Sequence, residues 1–166
     1  LALNIPELKN FMNQLFISDT FDHFLLKEAT IQKDAVWNFD EGHTGLYSSE
    51  ELEEQGLSGL AFLPYGRVRQ HCFDLIKGKR TPSYFKFVFL LSPDNLSRTL
   101  ASMQTPFTPQ DVTGMFLNLK FQNGNLMLTT GVSYRIFSTD KSLEHEWDRL
   151  VEIFLKNHNI VIEKLG

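Results

Sequence analysis

The dipeptide Asn123-Gly124 is the feature that most constrains the fold of this 166-residue chain. Apolar residues occupy every second position over 117–121 before it, and Leu126, Leu128 and Thr130 continue the period of two after it. Asn and Gly readily adopt the positive φ angles of a two-residue hairpin turn, and alternation with a period of two is typical of half-buried strands. The pattern therefore predicts an antiparallel hairpin.

Two other segments predict strands. Residues 25–31 and 35–39 alternate on either side of Lys33-Asp34 and predict a second hairpin. The dense aromatic and aliphatic run over 84–91 is typical of a buried central strand, and the apolar residues of 160–162 predict a last strand.

Helices are predicted by apolar residues spaced three and four apart over 6–17, after Pro64, after Ser92 and over 143–154. Ser48 or Ser49 is a suitable N-cap for a short acidic helix, and Ser92 is a suitable N-cap for the helix whose first turn holds Pro93. Together the elements predict an α+β fold. Its sheet is mostly antiparallel or mixed, is built from two hairpins plus single strands, and carries four to five helices packed on one side.

The composition favours one globular domain over residues 1–166. Hydrophobic residues make up 42% of the chain and charged residues 22%, which excludes the disordered and collagen-like classes. Cys72 is the single cysteine, so no disulfide can form within the chain and a reducing, cytoplasmic location is expected. Residues 1–6 lack the basic and apolar stretches of a signal peptide, and no apolar run is long enough to span a membrane, so no membrane partner is expected.

Charge is unevenly distributed, although the formal net charge is only −4. Residues 65–98 hold seven basic side chains against Asp74 and Asp94, a local charge of +5, whereas the rest of the chain carries −9. A cationic segment on an acidic protein is a candidate anion-binding site. The expected partner is nucleic acid or an acidic protein.

The predicted helix after Pro64 places its polar residues on one face that leads into a basic turn. Five side chains of this surface are the candidate anion ligands: Arg67, His71, Lys77, Lys79 and Arg80. Tyr84 or Phe85 nearby has a ring on which a base can stack. The alternative is structural, because cations at the C-terminus of a helix offset the negative end of its dipole.

Arg69 lies at the edge of the apolar side of the same helix. If it is buried it requires an acidic partner, for which the acidic stretch 40–54 is the expected source. Ion pairs between the acidic stretch 40–54 and the basic stretch 67–80 would leave the basic stretch with no role in ligand binding.

A second hypothesis is a small hydrolase or metal-dependent enzyme with a site near Asp40, Glu41 and His43. Of the five histidines, His43 is the one beside two carboxylates in a glycine-containing loop. The five show no metal-ligand spacing such as His-x-x-x-His, and no nucleophile elbow, Walker loop or dinucleotide fingerprint occurs. The sequence thus favours a binding domain over an enzyme and predicts no cofactor.

Two further surfaces follow from the helical and apolar patterns. Asp140, Glu144 and Asp148 share one face of the last helix, which we expect to be solvated. An exposed apolar patch around Phe107 and Met115 would indicate a third possibility, a subunit of a larger assembly.

Three stretches carry a resemblance to a known family: LIKGKRTP over 75–82, TTGVS over 129–133, and residues 141–147 followed by Asp148 and Leu150. They resemble an uncharacterised bacterial protein family of unknown function. The resemblance implies a small cytoplasmic bacterial protein, in which the basic turn over 77–81 is a recurrent feature. It implies no activity, ligand or catalytic residue.

Overall fold

The computed structural model of the chain describes residues 1–40, 48–57 and 60–165. The strands are β1 (Ala2–Asn4), β2 (Leu25–Gln32), β3 (Val36–Asp40), β4 (Tyr84–Leu90), β5 (Val112–Gln122), β6 (Asn125–Tyr134) and β7 (Glu163–Lys164). The α-helices are α1 (Leu8–Phe16), α2 (Ser49–Glu54), α3 (Arg69–Ile76), α4 (Pro93–Ser102) and α5 (Ser142–Asn157). Short 3-10 turns precede α3 (Tyr65–Arg67) and β5 (Pro109–Asp111).

All seven of these strands form one sheet in the order β3-β2-β4-β5-β6-β1-β7. Each pair of neighbours in the sheet is antiparallel. The predicted α+β class and antiparallel sheet are confirmed, with both hairpins in place. Asn123 and Gly124 turn the β5–β6 hairpin at φ angles of 53° and 76°.

The two faces of the sheet differ because side chains alternate along each strand. One face carries the core, in which the fully buried Phe85, Phe87 and Phe89 of β4 lie between apolar residues of β2 and β5. Helix α1 packs on this face through Phe16, whose ring lies 5.7 Å from Phe85 and 5.8 Å from Phe87. We call the other side, where β4 presents Tyr84 and Lys86, the open face.

Side-chain caps begin two helices as predicted. The Ser48 hydroxyl accepts from the backbone N–H of Glu51, and the Ser92 hydroxyl accepts from that of Asn95. Pro93 follows Ser92 in the first turn of α4, where its missing N–H costs no hydrogen bond.

The C-terminal strand is shifted from its predicted position. Residues 160–162 are not a strand; Ile160 is a buried residue just after α5, and pairing is confined to Glu163 and Lys164 against β1. The chain leaves α5 through Asn159 at φ 58°, a turn conformation that moves the extended segment later. The sequence also gave no signal for β1, because three residues are too few to show alternation.

Candidate anion-binding surface

Helix α3 places the basic segment against one end of the sheet. The Tyr65 hydroxyl donates to the Leu15 carbonyl at 2.9 Å and thereby fixes the start of this segment to α1. Cys72 is fully buried on the inner side of α3 and packs as a small apolar residue. Gly78 follows the helix at φ 125°, a backbone conformation open to glycine, so the chain turns sharply into Lys79 and Arg80.

The C-terminus of α3 is capped by a lysine from elsewhere in the chain. Lys33, in the β2–β3 turn, donates from Nζ to the Lys77 carbonyl at 2.7 Å and to the Ile76 carbonyl at 3.2 Å. These are carbonyls that a helix end leaves without an intrahelical partner. Lys33 therefore provides the cation that the helix dipole favours, and this role does not fall to the basic turn.

We call Lys33, Lys77, Lys79 and Arg80 the basic end. Lys77 pairs with Asp74 at 3.3 Å one turn back on α3, and Arg80 pairs with Asp34. Lys79 is exposed and has no ion-pair or hydrogen-bond partner among the described residues. The surface thus gathers four cations and two carboxylates at one point.

The other two predicted ligands lie in the 3-10 turn before α3 and on α3 itself, and have contacts of their own. Arg67 donates to the Gln55 carbonyl at 2.8 Å, which ties the 3-10 turn to the end of α2. The exposed His71 packs edge to face on Phe39 of β3, with 5.5 Å between ring centroids. Sequence spacing did not indicate Lys33, which lies beside Lys77 and adds a cation to the five predicted ligands.

The acidic partner of Arg69 is Asp22, and the expectation of a partner within 40–54 is wrong. The Arg69 guanidinium donates to both carboxylate oxygens of Asp22, at 2.8 and 3.3 Å, and to the Ile17 carbonyl at 2.8 Å. The hydrogen bond to Asp22 raises the pKa of Arg69 above its ordinary value. This pair joins α3 to the segment after α1 and is structural.

The open face carries further cations next to the basic end. Lys86 of β4 lies directly opposite Lys120 of β5 in the register, and Lys86 pairs with Glu28 at 3.1 Å. Lys120 is exposed and is without an ion-pair partner in the part of the chain that is described. Like charges directly opposite on adjacent strands are destabilising.

Of the two predicted stacking rings, Phe85 is unavailable. It is fully buried and stacks on Phe121 at 5.2 Å on the core face. Tyr84 is half-exposed on the open face, in register with Gln122. A second ring, Phe116, lies on this face under Lys27, whose Nζ is 5.3 Å from the ring centroid.

The alternative metal site falls largely outside the described residues. Asp40 ends β3, and Glu41 and His43 belong to the stretch that the structure does not describe. Within residues 1–40, 48–57 and 60–165, no three His, Cys, Asp or Glu side chains are placed to hold a metal ion. Burial raises the pKa of the Cys72 thiol to about 12, so this cysteine is protonated at neutral pH.

Two of the three carboxylates of the predicted acidic face, Glu144 and Asp148, are not solvated but lie against β6, whereas Asp140 precedes α5 and is exposed. The Thr130 hydroxyl donates to Asp148, and the side chains of Asp148 and Glu144 are only 26% and 29% exposed. A cleft of about 390 Å³ lies between these two elements. Beside it, buried oxygens of Tyr134, Ser142 and Glu144 have no hydrogen-bond partner among the described atoms.

The apolar patch expected around Phe107 and Met115 is absent. Met115 is fully buried, and Phe107 is 8% exposed and packs on Tyr134 with 5.1 Å between ring centroids. The most exposed large apolar side chain is instead Phe137, 92% accessible beside Ile136 in the β6–α5 connection, among those described.

Comparisons with known proteins place the chain in a family but reveal no activity. None of the described helices is both long and apolar enough to cross a membrane. No curated protein and no solved structure gives a significant match. A family model described as "Family of unknown function (DUF5721)" matches residues 14–163, which confirms the resemblance inferred from three short stretches. Because this match spans nearly all of the sequence, the chain belongs to that family of unknown function.

Proposed function

We propose that this chain is a non-enzymatic binding domain that engages an anionic partner, nucleic acid or an acidic protein, through its basic helix–turn surface. The ligands are Lys77, Lys79 and Arg80 at the basic end, with Arg67 in the 3-10 turn before α3 and His71 on α3. The observation that most supports this proposal is the capping of α3 by Lys33. Because that lysine serves the helix end, the charges of the basic turn are not needed to cap α3, and the ion pairs of Lys77 and Arg80 are exposed.

The ion pairs around the basic end do not prevent this role. Lys77 and Asp74 are 59% and 47% exposed, and Arg80 and Asp34 are 77% and 68% exposed. Exposed pairs of this kind contribute little to stability and exchange readily with other charges. A phosphate or carboxylate of a partner can therefore replace Asp34 or Asp74 at little cost.

Two finer expectations belong to this proposal: that the protein is bacterial and that it works in the cytoplasm. The single buried cysteine supports a reducing compartment, where a free thiol is stable. A substrate-converting role has no comparable support. Within the described residues no three His, Cys, Asp or Glu side chains are placed to hold a metal ion, and the alternative site near Asp40, Glu41 and His43 lies largely outside them.

The test is fluorescence anisotropy with two labelled polyanions, a single-stranded oligonucleotide and a polyglutamate peptide, at about 50 and 200 mM salt. The variant K79A/R80A removes two charges from the basic end. The control K9A/K156A removes two exposed lysines from α1 and the last turn of α5. Both have the same net charge, so a general electrostatic effect would weaken both equally.

The proposal expects salt-sensitive binding of at least one polyanion by the wild-type protein. K79A/R80A should weaken it about tenfold or more, since each lost phosphate contact removes a counterion-release contribution. Equal weakening in the two variants, or no binding of either polyanion at low salt, would overturn the proposal.

A further inference from the structure

The open face carries a pattern that the fold itself does not explain. Lys86 and Lys120 lie opposite each other on the two central strands, where a sequence selected for stability alone would avoid like charges. Positions that break a local rule without structural compensation are expected at functional sites. Glu28 offsets one of the two lysines, and Lys120 is left as an exposed cation.

Rings bracket these cations along the strands. Tyr84 lies two residues before Lys86 on the same face of β4, next to the basic end. Phe116 lies opposite Leu90, the last residue of β4. Six residues of extended chain separate Tyr84 from Leu90, so the two rings mark a stripe about 20 Å long.

Lys27 adds a third cation over the Phe116 ring. The stripe thus has one ring at each end and lysines near both, with Val88 and Asn118 between Lys86–Lys120 and Phe116. Proteins that bind single strands combine a cationic track for the backbone with aromatic side chains on which bases stack. The bases of a duplex are stacked on one another and leave no free face for such rings, and an acidic peptide has no base to stack on them.

We propose that the open face is a platform for single-stranded nucleic acid, which enters at the basic end and runs along β4 and β5. This inference rests on the proposed function, since the same basic end receives the strand. Tyr84 stacks a base, and Lys120 and Lys86 contact one phosphate from its two sides. In this arrangement a phosphate lies between the two lysines and relieves their repulsion.

The test uses a labelled oligothymidylate of about 12 nucleotides, a length within the range of single-strand binding sites. Its binding is measured by anisotropy over a series of salt concentrations. Tyr84→Leu removes the ring but keeps an apolar side chain, and Phe137→Leu is its control at an exposed ring elsewhere. Lys120→Gln removes one cation, and Lys156→Gln is its control at the end of α5.

Tyr84→Leu should weaken single-strand binding about tenfold, the loss of one stacked base. Lys120→Gln should reduce the slope of log K against log salt by about 0.7, the contribution of one phosphate contact on a single strand. Both controls should bind as the wild type does. A duplex of the same length should bind more weakly and respond equally to Tyr84→Leu and Phe137→Leu.

The outcomes separate this inference from the proposed function. If K79A/R80A abolishes binding while Tyr84→Leu and Lys120→Gln bind as the wild type does, the platform is refuted. Anion binding at the basic end is then retained. Preference for polyglutamate or for the duplex also refutes the platform alone. Failure of every polyanion to bind refutes both. Melting temperatures of the variants, expected to equal or exceed that of the wild type for Lys120→Gln, exclude misfolding as the cause.

Discussion

The opposed lysines of β4 and β5 predict an unusual mutational effect, namely that reversing a surface charge stabilises the fold. Lys120→Glu would replace the repulsion from Lys86 by an attraction across the same register pair. Cross-strand pairs of opposite charge are worth about 0.2–1 kcal/mol, and like pairs are unfavourable by a similar amount. Both side chains are substantially exposed, and Glu28 already pairs with Lys86. The gain in stability, which adds the lost repulsion to the new attraction, therefore lies in the lower half of its range.

We therefore expect Lys120→Glu to stabilise the protein by about 0.5–1 kcal/mol. For a chain of this length such a change raises the melting temperature by about 1–4 °C. Lys120→Gln removes the repulsion without adding an attraction and should give about half of that gain. Thermal unfolding followed by circular dichroism at low salt measures both.

Salt provides the control for the electrostatic origin. At about 1 M salt the Debye length falls to about 3 Å, so the gain from Lys120→Glu should shrink to less than half of its low-salt value. A Lys120→Glu variant that is no more stable than the wild type at low salt would refute the claim that repulsion between Lys86 and Lys120 destabilises the fold. So would a gain that is unchanged by salt, which would indicate altered packing or strand propensity.

Three further predictions concern single side chains. Arg69→Ala should lower the free energy of unfolding by about 1–3 kcal/mol in urea titrations, because it leaves Asp22 without the partner that satisfies both of its oxygens; a loss below 0.5 kcal/mol, a typical surface effect, would show that this pair does not anchor α3. Tyr134→Phe should leave the melting temperature unchanged or raise it, since the buried hydroxyl has no described partner and the ring keeps its contact with Phe107; a clear decrease would show that the hydroxyl is bonded. Cys72 should resist alkylation by iodoacetamide at pH 8 in the folded protein and react once urea unfolds it, because burial raises its pKa and shields the thiol; rapid reaction of the native protein would contradict the buried position.

Local patterns were sufficient to predict the main elements of the fold. The Asn123-Gly124 turn, the alternation around it and the serine caps at Ser48 and Ser92 each depend on neighbours within a few residues. The antiparallel class followed from the two hairpins. Short strands were missed or misplaced, because β1 and β7 are held by pairing with β6 and with each other and carry little signal of their own.

The candidate site was predictable in composition but not in geometry. The basic segment is visible in the charge pattern, whereas its two most informative contacts join distant positions. Lys33 reaches the end of α3 across 44 residues, and Asp22 reaches Arg69 across 47. The opposition of Lys86 and Lys120 depends on the register of β4 against β5, which no turn specifies because a helix and a 3-10 turn separate the two strands.

Binding of a single strand at the basic end and along the open face is tested most directly by an NMR titration. Unlabelled oligothymidylate is added to the ¹⁵N-labelled protein, and the chemical-shift changes are mapped on the backbone. We expect the largest chemical-shift changes at Lys33 and over residues 77–86, and a change at Lys120 as the open face is occupied. Changes concentrated elsewhere, for example along α5 beside the 390 Å³ cleft, would contradict it. The absence of any amide shift with either oligothymidylate or polyglutamate in excess at low salt would contradict it as well.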